Sequence, residues 1–154
     1  MDDRLFDAKR YFEPAVQALE THRGYAEADG PGVKITGGDW NDWELIDWRA
    51  TVKFSSGETL EILEIHSRVS GVHLRKIKYH FMDANRNCIF RVDTHGNPIL
   101  FDDPCHLDLG PAEERIDDGD PRLGGQSMKG IGFCEILDWI HRYLDRTPLP
   151  WSGQ

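Results

Sequence analysis

The chain has 154 residues, 39% hydrophobic and 29% charged, with 18 Lys and Arg against 27 Asp and Glu for a formal net charge of -9. That length suits one domain with a modest core, and the acidity speaks against a coat for nucleic acid, because such binding rests on neutralising phosphates. No apolar run approaches the roughly 20 residues that span a bilayer, and Met1-Asp2-Asp3-Arg4 lacks the basic-then-apolar layout of a secretory signal, so a cytoplasmic protein with no membrane partner is expected.

Residues 3–24 have a helical pattern, in two pieces or with a kink, because Pro14 cannot donate a hydrogen bond from a helix interior but fits the first turn of a new helix. Val16, Leu19 and His22 or Arg23 follow at helical spacing, and Gly24 is a stop signal. Ala28 to Gly32 and Gly37 to Asp39 then predict a linker or long loop. The expected division is a helical extension and linker over 1–40, an α+β domain over 41–148 and a tail over 149–154.

From Trp43 the period changes to two. Ile46, Trp48, Ala50, Val52 and Phe54 alternate with Asp47, Arg49, Thr51 and Lys53, the pattern of a strand with one wet face. Ser55 to Glu58 predicts a hairpin turn. A second strand has Leu60 and Ile62 in one parity and Leu63 and Ile65 in the other, which predicts a bulge or a strand covered on both faces. A third runs from about Val72 to Met82, and after a turn at Asp83 to Asn87 a fourth runs from Cys88 to Thr94. Residues 96–130 are rich in Gly and Pro, with only Ile99-Leu100-Phe101 as a short fifth strand; irregular stretches of this length are usually functional loops or disorder. Phe133, Ile136, Leu137, Ile140 and Leu144 line one face of a closing helix. The expected fold is α+β: an antiparallel meander of four to five strands, its N- and C-terminal helices packed on one face and the other face open.

Charge is not spread evenly along this chain. Residues 72–96 hold five basic and two acidic residues, the one stretch with a positive balance. Alternation places Arg91, Asp93 and His95 on one face of the fourth strand and Lys76, Lys78 and His80 on the wet face of the third. Pairing around the Asp83–Asn87 turn sets Lys78 or His80 opposite Arg91, and Lys76 or Lys78 opposite Asp93. Arg and Lys can bind a phosphodiester and stabilise charge developing on it; a His can take a proton from a 2′-hydroxyl or give one to a leaving oxygen. The same set suits simple anion binding, or the cross-strand ion pairs of a wet sheet face.

His106, in the Gly- and Pro-rich stretch, could join Asp93 and His95 at a metal, but the spacing matches no strong zinc signature, so no metal and no cofactor is assigned. Cys105 beside His106 is not a nucleophile–base dyad by adjacency, and the three cysteines show no CxxC spacing. Trp48 and Trp139 fit core positions, whereas Trp40 and Trp43 flank the first strand as possible contact residues. His22, His66, His73 and His141 are expected to be surface or structural.

From about Trp43 to Arg146 the chain resembles the TumE family, small toxins of bacterial toxin–antitoxin pairs. The residues that carry the likeness are Lys78-Tyr79-His80-Phe81, Ile89-Phe90-Arg91-Val92-Asp93-Thr94-His95, Pro104-Cys105-His106-Leu107-Asp108-Leu109-Gly110 and the closing helix from Cys134 to Ile140. Thr94 stands where the family usually has Asn, and Asp108 where a second histidine is expected; a doubled histidine after the Arg-x-Asp strand is reduced to His95. The resemblance implies a growth-inhibiting toxin acting on RNA, ribonuclease-like, with a helix-turn-helix antitoxin as partner and RNA as a candidate ligand. Arg91, Asp93, His95 and His106 would form its catalytic site, with Lys76, Lys78 and His80 assisting at phosphate. The competing expectation is a non-enzymatic acidic adaptor that uses the same face for a protein or anionic ligand.

Overall fold

The computed structural model describes residues 6–21, 25–29 and 33–151. In chain order these form helix α1 (Ala8–Thr21), strands β1 (Tyr25–Asp29), β2 (Val33–Thr36), β3 (Leu45–Phe54), β4 (Thr59–Val69), β5 (Val72–Met82), β6 (Cys88–Asp93), β7 (Ile99–Leu100), β8 (His106–Leu109) and β9 (Glu114–Ile116), a 3-10 turn at Pro121–Leu123, and helix α2 (Phe133–Leu144). The fold is α+β. All strand pairs are antiparallel and make one sheet in the order β1-β3-β4-β5-β6-β8-β9; β2 shares the outer edge of β3 with β1, and β7 shares an edge of β5 with β6.

The strand count exceeds the meander of four to five because two stretches expected to be irregular add strands. The segment expected to be a linker contains β1 and β2, which hydrogen-bond to β3. The Gly- and Pro-rich stretch contains β8, which pairs with β6, and β9, which pairs with β8. Strands this short carry too little periodicity to be seen. Gly110 closes β8 where its N–H donates to the Ile89 carbonyl at 3.0 Å, and a Cβ there would collide with the Cys88 carbonyl. β4 has no bulge: its register against β3 and β5 is unbroken, and Leu63 and Ile65 are half-buried on the open face.

One face of the sheet is covered. Ile46, Trp48, Ala50, Val52 and Phe54 of β3, Leu60 and Ile62 of β4, Ile77, Tyr79 and Phe81 of β5 and Phe90 and Val92 of β6 point into a single core. Both helices lie on it. Phe12 of α1 meets Trp48 edge-on, and from α2 Phe133 meets Trp48 and Trp139 meets Phe90. α1 is one helix through Pro14 rather than two pieces: Asp7 accepts the Arg10 N–H at its start, and buried Phe12 and Ala15 hold it down on either side of the proline. His22 and Gly24, the expected end of this helix, lie outside the described residues. α2 begins at Gly132, whose N–H donates to the Glu135 carboxylate at 3.0 Å. Beyond α2, Leu149 is buried and Trp151 packs on Phe90 and Trp139. No helix among the described residues is long and apolar enough to cross a membrane.

The covered face also holds charge. Glu64, His66, His73 and Arg75 are buried under α1. Tyr11 donates to Glu64 at 2.5 Å, His66 Nδ1 and His73 Nε2 share one proton across 2.7 Å, and Arg75 donates to the Ile131 carbonyl at 2.5 Å and to the Cys105 sulfur at 3.1 Å. Phe6 and Phe101 stack on the imidazoles. Burial lowers the pKa of both histidines, that of His73 to about 3.

Candidate functional site

The open face is ordered by register. One row across the sheet reads Arg49, Leu63, Lys78, Asp93 and His106; the next reads Thr51, Glu61, His80, Arg91, Asp108 and Arg115. Lys78 therefore stands opposite Asp93 and His80 opposite Arg91, both among the pairings expected from the turn. Their far ends form a compact polar network on β6, β8 and β9. His95 joins it from the turn after β6: it takes a left-handed conformation, φ 54°, with its N–H donated to Asp93 Oδ1 at 3.3 Å, and this turns the imidazole back over the strand.

Arg91 is the first hub. Its guanidinium reaches Asp93 at 3.2 Å, Asp108 at 3.1 Å and Glu113 at 3.2 Å. Arg115 is the second, donating to Asp108 Oδ1 at 2.8 Å and to His106 Nδ1 at 3.0 Å, with its remaining arm against His95 Nε2. The two imidazoles lie edge to face, 4.5 Å between centroids. A guanidinium has no acceptor, so the Arg115 contact makes His106 Nδ1 the unprotonated nitrogen and puts the proton of the neutral ring on Nε2. His95 Nε2 faces opposing demands: a proton there satisfies Asp93 Oδ1 at 3.2 Å, and its absence satisfies Arg115.

Burial lowers the His106 pKa, reinforced by Arg115 and His95. Burial alone would raise the Asp108 carboxyl, but hydrogen bonds from Arg115 and Arg91 outweigh it and hold it below the ordinary carboxylate value. Asp108 is therefore an anion locked between two cations.

The family profile described as Toxin TumE matches residues 41–129, more than half of the chain. The chain belongs to the TumE toxin family. No curated protein and no solved structure matches it. The matched span runs from before β3 to beyond β9, so it contains every member of the open-face network, while α1, β1, β2 and α2 lie outside it. TumE membership implies a toxin component and, in general, an antitoxin partner.

Within this TumE sheet, Arg91, Asp93, His95 and His106 come together as expected from the sequence. The phosphate candidates divide. Lys78 is beside the network but pairs with Glu61 at 3.5 Å, and His80 faces Arg91 with its Nε2 buried and no hydrogen-bond partner. Burial lowers the His80 pKa, and Arg91 and Lys78 lower it further. Lys76 stands a row away, opposite Ile65. Cys105 points to the covered face while His106 points to the open one, and burial pushes the Cys105 thiol up to about 11, which removes any thiolate nucleophile at neutral pH. Trp43 is buried beneath Arg68 rather than free for contacts, and Trp40 stacks on Phe12.

Arg115 is the member of the network that the sequence did not point to. Its only signal is an arginine in Glu-Glu-Arg-Ile inside a stretch without visible strands, and its partners become neighbours through β8–β9 pairing alone. Oxygen and nitrogen atoms of Asp93, His95 and Asp108 lie within 4.8 Å of one another, close enough for a metal. Both oxygens of Asp108 and one of Asp93 are already taken by guanidinium groups, so a cation there would have to displace two arginines; the donor set fits an ion network better.

Proposed function

We propose that the open-face network is the active site of a metal-independent ribonuclease, the toxic activity of this TumE chain. The observation that supports it is the sharing of one guanidinium, Arg115, by two imidazoles that stand beside a second guanidinium on a solvent-facing sheet. At rest Arg91 and Arg115 are held by carboxylates and imidazoles. A phosphodiester draws their N–H groups to its oxygens by charge-assisted hydrogen bonds. This releases His106 Nδ1 and His95 Nε2, one to take the proton of the 2′-hydroxyl and the other, once protonated, to give a proton to the 5′-oxygen. The guanidiniums then neutralise charge growing on the phosphorus centre. Asp93 orients His95, Asp108 fixes the spacing of the arginines, and Lys78 and His80 border the phosphate path, with Lys76 beyond them. A helix-turn-helix antitoxin would be the partner that silences the activity.

The test is cleavage of a labelled single-stranded RNA by the purified chain, with and without chelator. Cleavage is expected to survive EDTA and to fall by about 10²- to 10⁴-fold in His106→Ala. Cleavage that EDTA abolishes would replace the mechanism by a metal-assisted one. A second reading has its own observation: every guanidinium of the network is already matched by carboxylates, as in an adaptor surface without chemistry. It predicts partner binding without RNA turnover, and growth unaffected by expression of the chain alone.

A further inference from the structure

Among the described residues, the large hydrophobic side chains left exposed are Leu45, Val69, Val72 and Leu100. Register gathers all four at one end of the open face. Leu45 pairs with Ser67, Ser67 with Leu74 and Leu74 with Leu100, a row across four strands; Val69 pairs with Val72 in the row beyond. Half-buried Leu74 and Ile65 continue the apolar surface toward the polar network. A contiguous apolar patch on a sheet face marks an interaction site more often than one scattered side chain does. Acidic residues outnumber basic ones around it: exposed Asp42 and Glu44 lead into Leu45 and exposed Asp102 and Asp103 follow Leu100, against Lys76 opposite Ile65 and Arg68 before Val69.

We propose that this apolar, acid-rimmed end of the open face is the docking surface for the antitoxin, which presents an apolar anchor flanked by basic side chains. Charge complementarity selects that partner over a second copy of this chain. The whole chain carries -9, so two copies bringing acid-rimmed patches together would repel, whereas a basic surface is steered in. The position also explains inhibition. Leu74 and Lys78 are four residues apart on β5, about 14 Å, so a partner anchored on the patch reaches the border of the polar network on the same face. The proposal rests on the antitoxin partnership of the family and stands whether or not that network cleaves RNA.

The experiment is calorimetric titration of the purified chain with its antitoxin, taken as the adjacent-gene product whose co-expression restores growth. Val72→Glu combined with Leu100→Glu is expected to weaken binding by about 30-fold or more. A milder pair, Val72→Ser with Leu100→Ser, is expected to weaken it less, and thermal melting checks that each variant is folded. RNA cleavage by both variants should match the unaltered chain, so loss of affinity is separable from loss of the site. Unchanged affinity in folded variants of both kinds would overturn the proposal. So would a chain that is dimeric by gel filtration and becomes monomeric in the variants while antitoxin affinity holds, because a second copy would then be the occupant.

Discussion

The two faces of one sheet carry two polar clusters made of the same residue types. On the open face two arginines, two histidines and two aspartates form a network in which Arg115 and His95 remain 40% and 38% exposed at their side chains. On the covered face Glu64, His66, His73 and Arg75 are sealed by Tyr11 and Phe12 from α1, by Phe6 just before it and by Phe101. Side-chain type therefore does not distinguish a reactive cluster from a structural one. Cover does: water and a large substrate reach the first, whereas the second can only be satisfied from within. Burial also keeps the enclosed histidines neutral by lowering both pKa values, and at His73 the neighbouring His66 and the Arg75 charge lower it further.

This contrast predicts opposite responses to substitution. The largest expected effect on stability is at Arg75→Ala, which removes the hydrogen bonds to the Ile131 carbonyl and the Cys105 sulfur and takes a nearby positive charge away from buried Glu64. The cost is about 3–5 kcal/mol, read as a lower urea midpoint. Arg91→Ala on the open face should move stability by only about 1 kcal/mol, since Asp108 keeps Arg115, yet reduce RNA cleavage by about 100-fold or more.

Next in size is the pH response. His73 has a folded pKa near 3 against about 6.5 when unfolded, so between these values the unfolded chain binds the extra proton. The His73 contribution is then fully present above pH 6.5 and is lost as pH falls toward 3, by about 1.4 kcal/mol per pH unit. Urea midpoints across that window should flatten in His73→Gln; an unaltered slope would mean that the imidazole titrates in the folded state. The smallest effect within the covered cluster belongs to Tyr11→Phe, which leaves Glu64 Oε1 without its hydroxyl donor and should cost about 1–2 kcal/mol, with RNA cleavage unchanged.

The long strands were legible because alternation over ten or eleven residues is a strong signal. β3, β4 and β5 fall where period-two patterning puts them, and symmetry about the Asp83–Asn87 turn put Lys78 or His80 opposite Arg91, of which His80 is the one found there. Of the short strands, β7 falls where a fifth strand was expected, whereas β8 and β9 were not legible. β8 and β9 are held by tertiary pairing and lie among Gly, Pro and acidic residues, so the stretch looked like a loop although it supplies His106, Asp108 and Arg115. Asp108 illustrates the limit: as a sequence letter it is a departure from the expected histidine, and in the sheet it is the anion that spaces two arginines.

By itself the sequence determined the alternation, and with it which side chains share a face: Arg91 with Asp93, Lys76 with Lys78 and His80, and the apolar parity that builds the core. It also determined the one basic stretch inside an acidic chain. Only the tertiary structure showed that Glu64, His66, His73 and Arg75 are sealed on the covered face, because that depends on where α1 and Phe101 lie. It alone brought Arg115 between His95 and His106, residues up to 20 positions away, since contacts of that separation are made by strand pairing and not by local pattern.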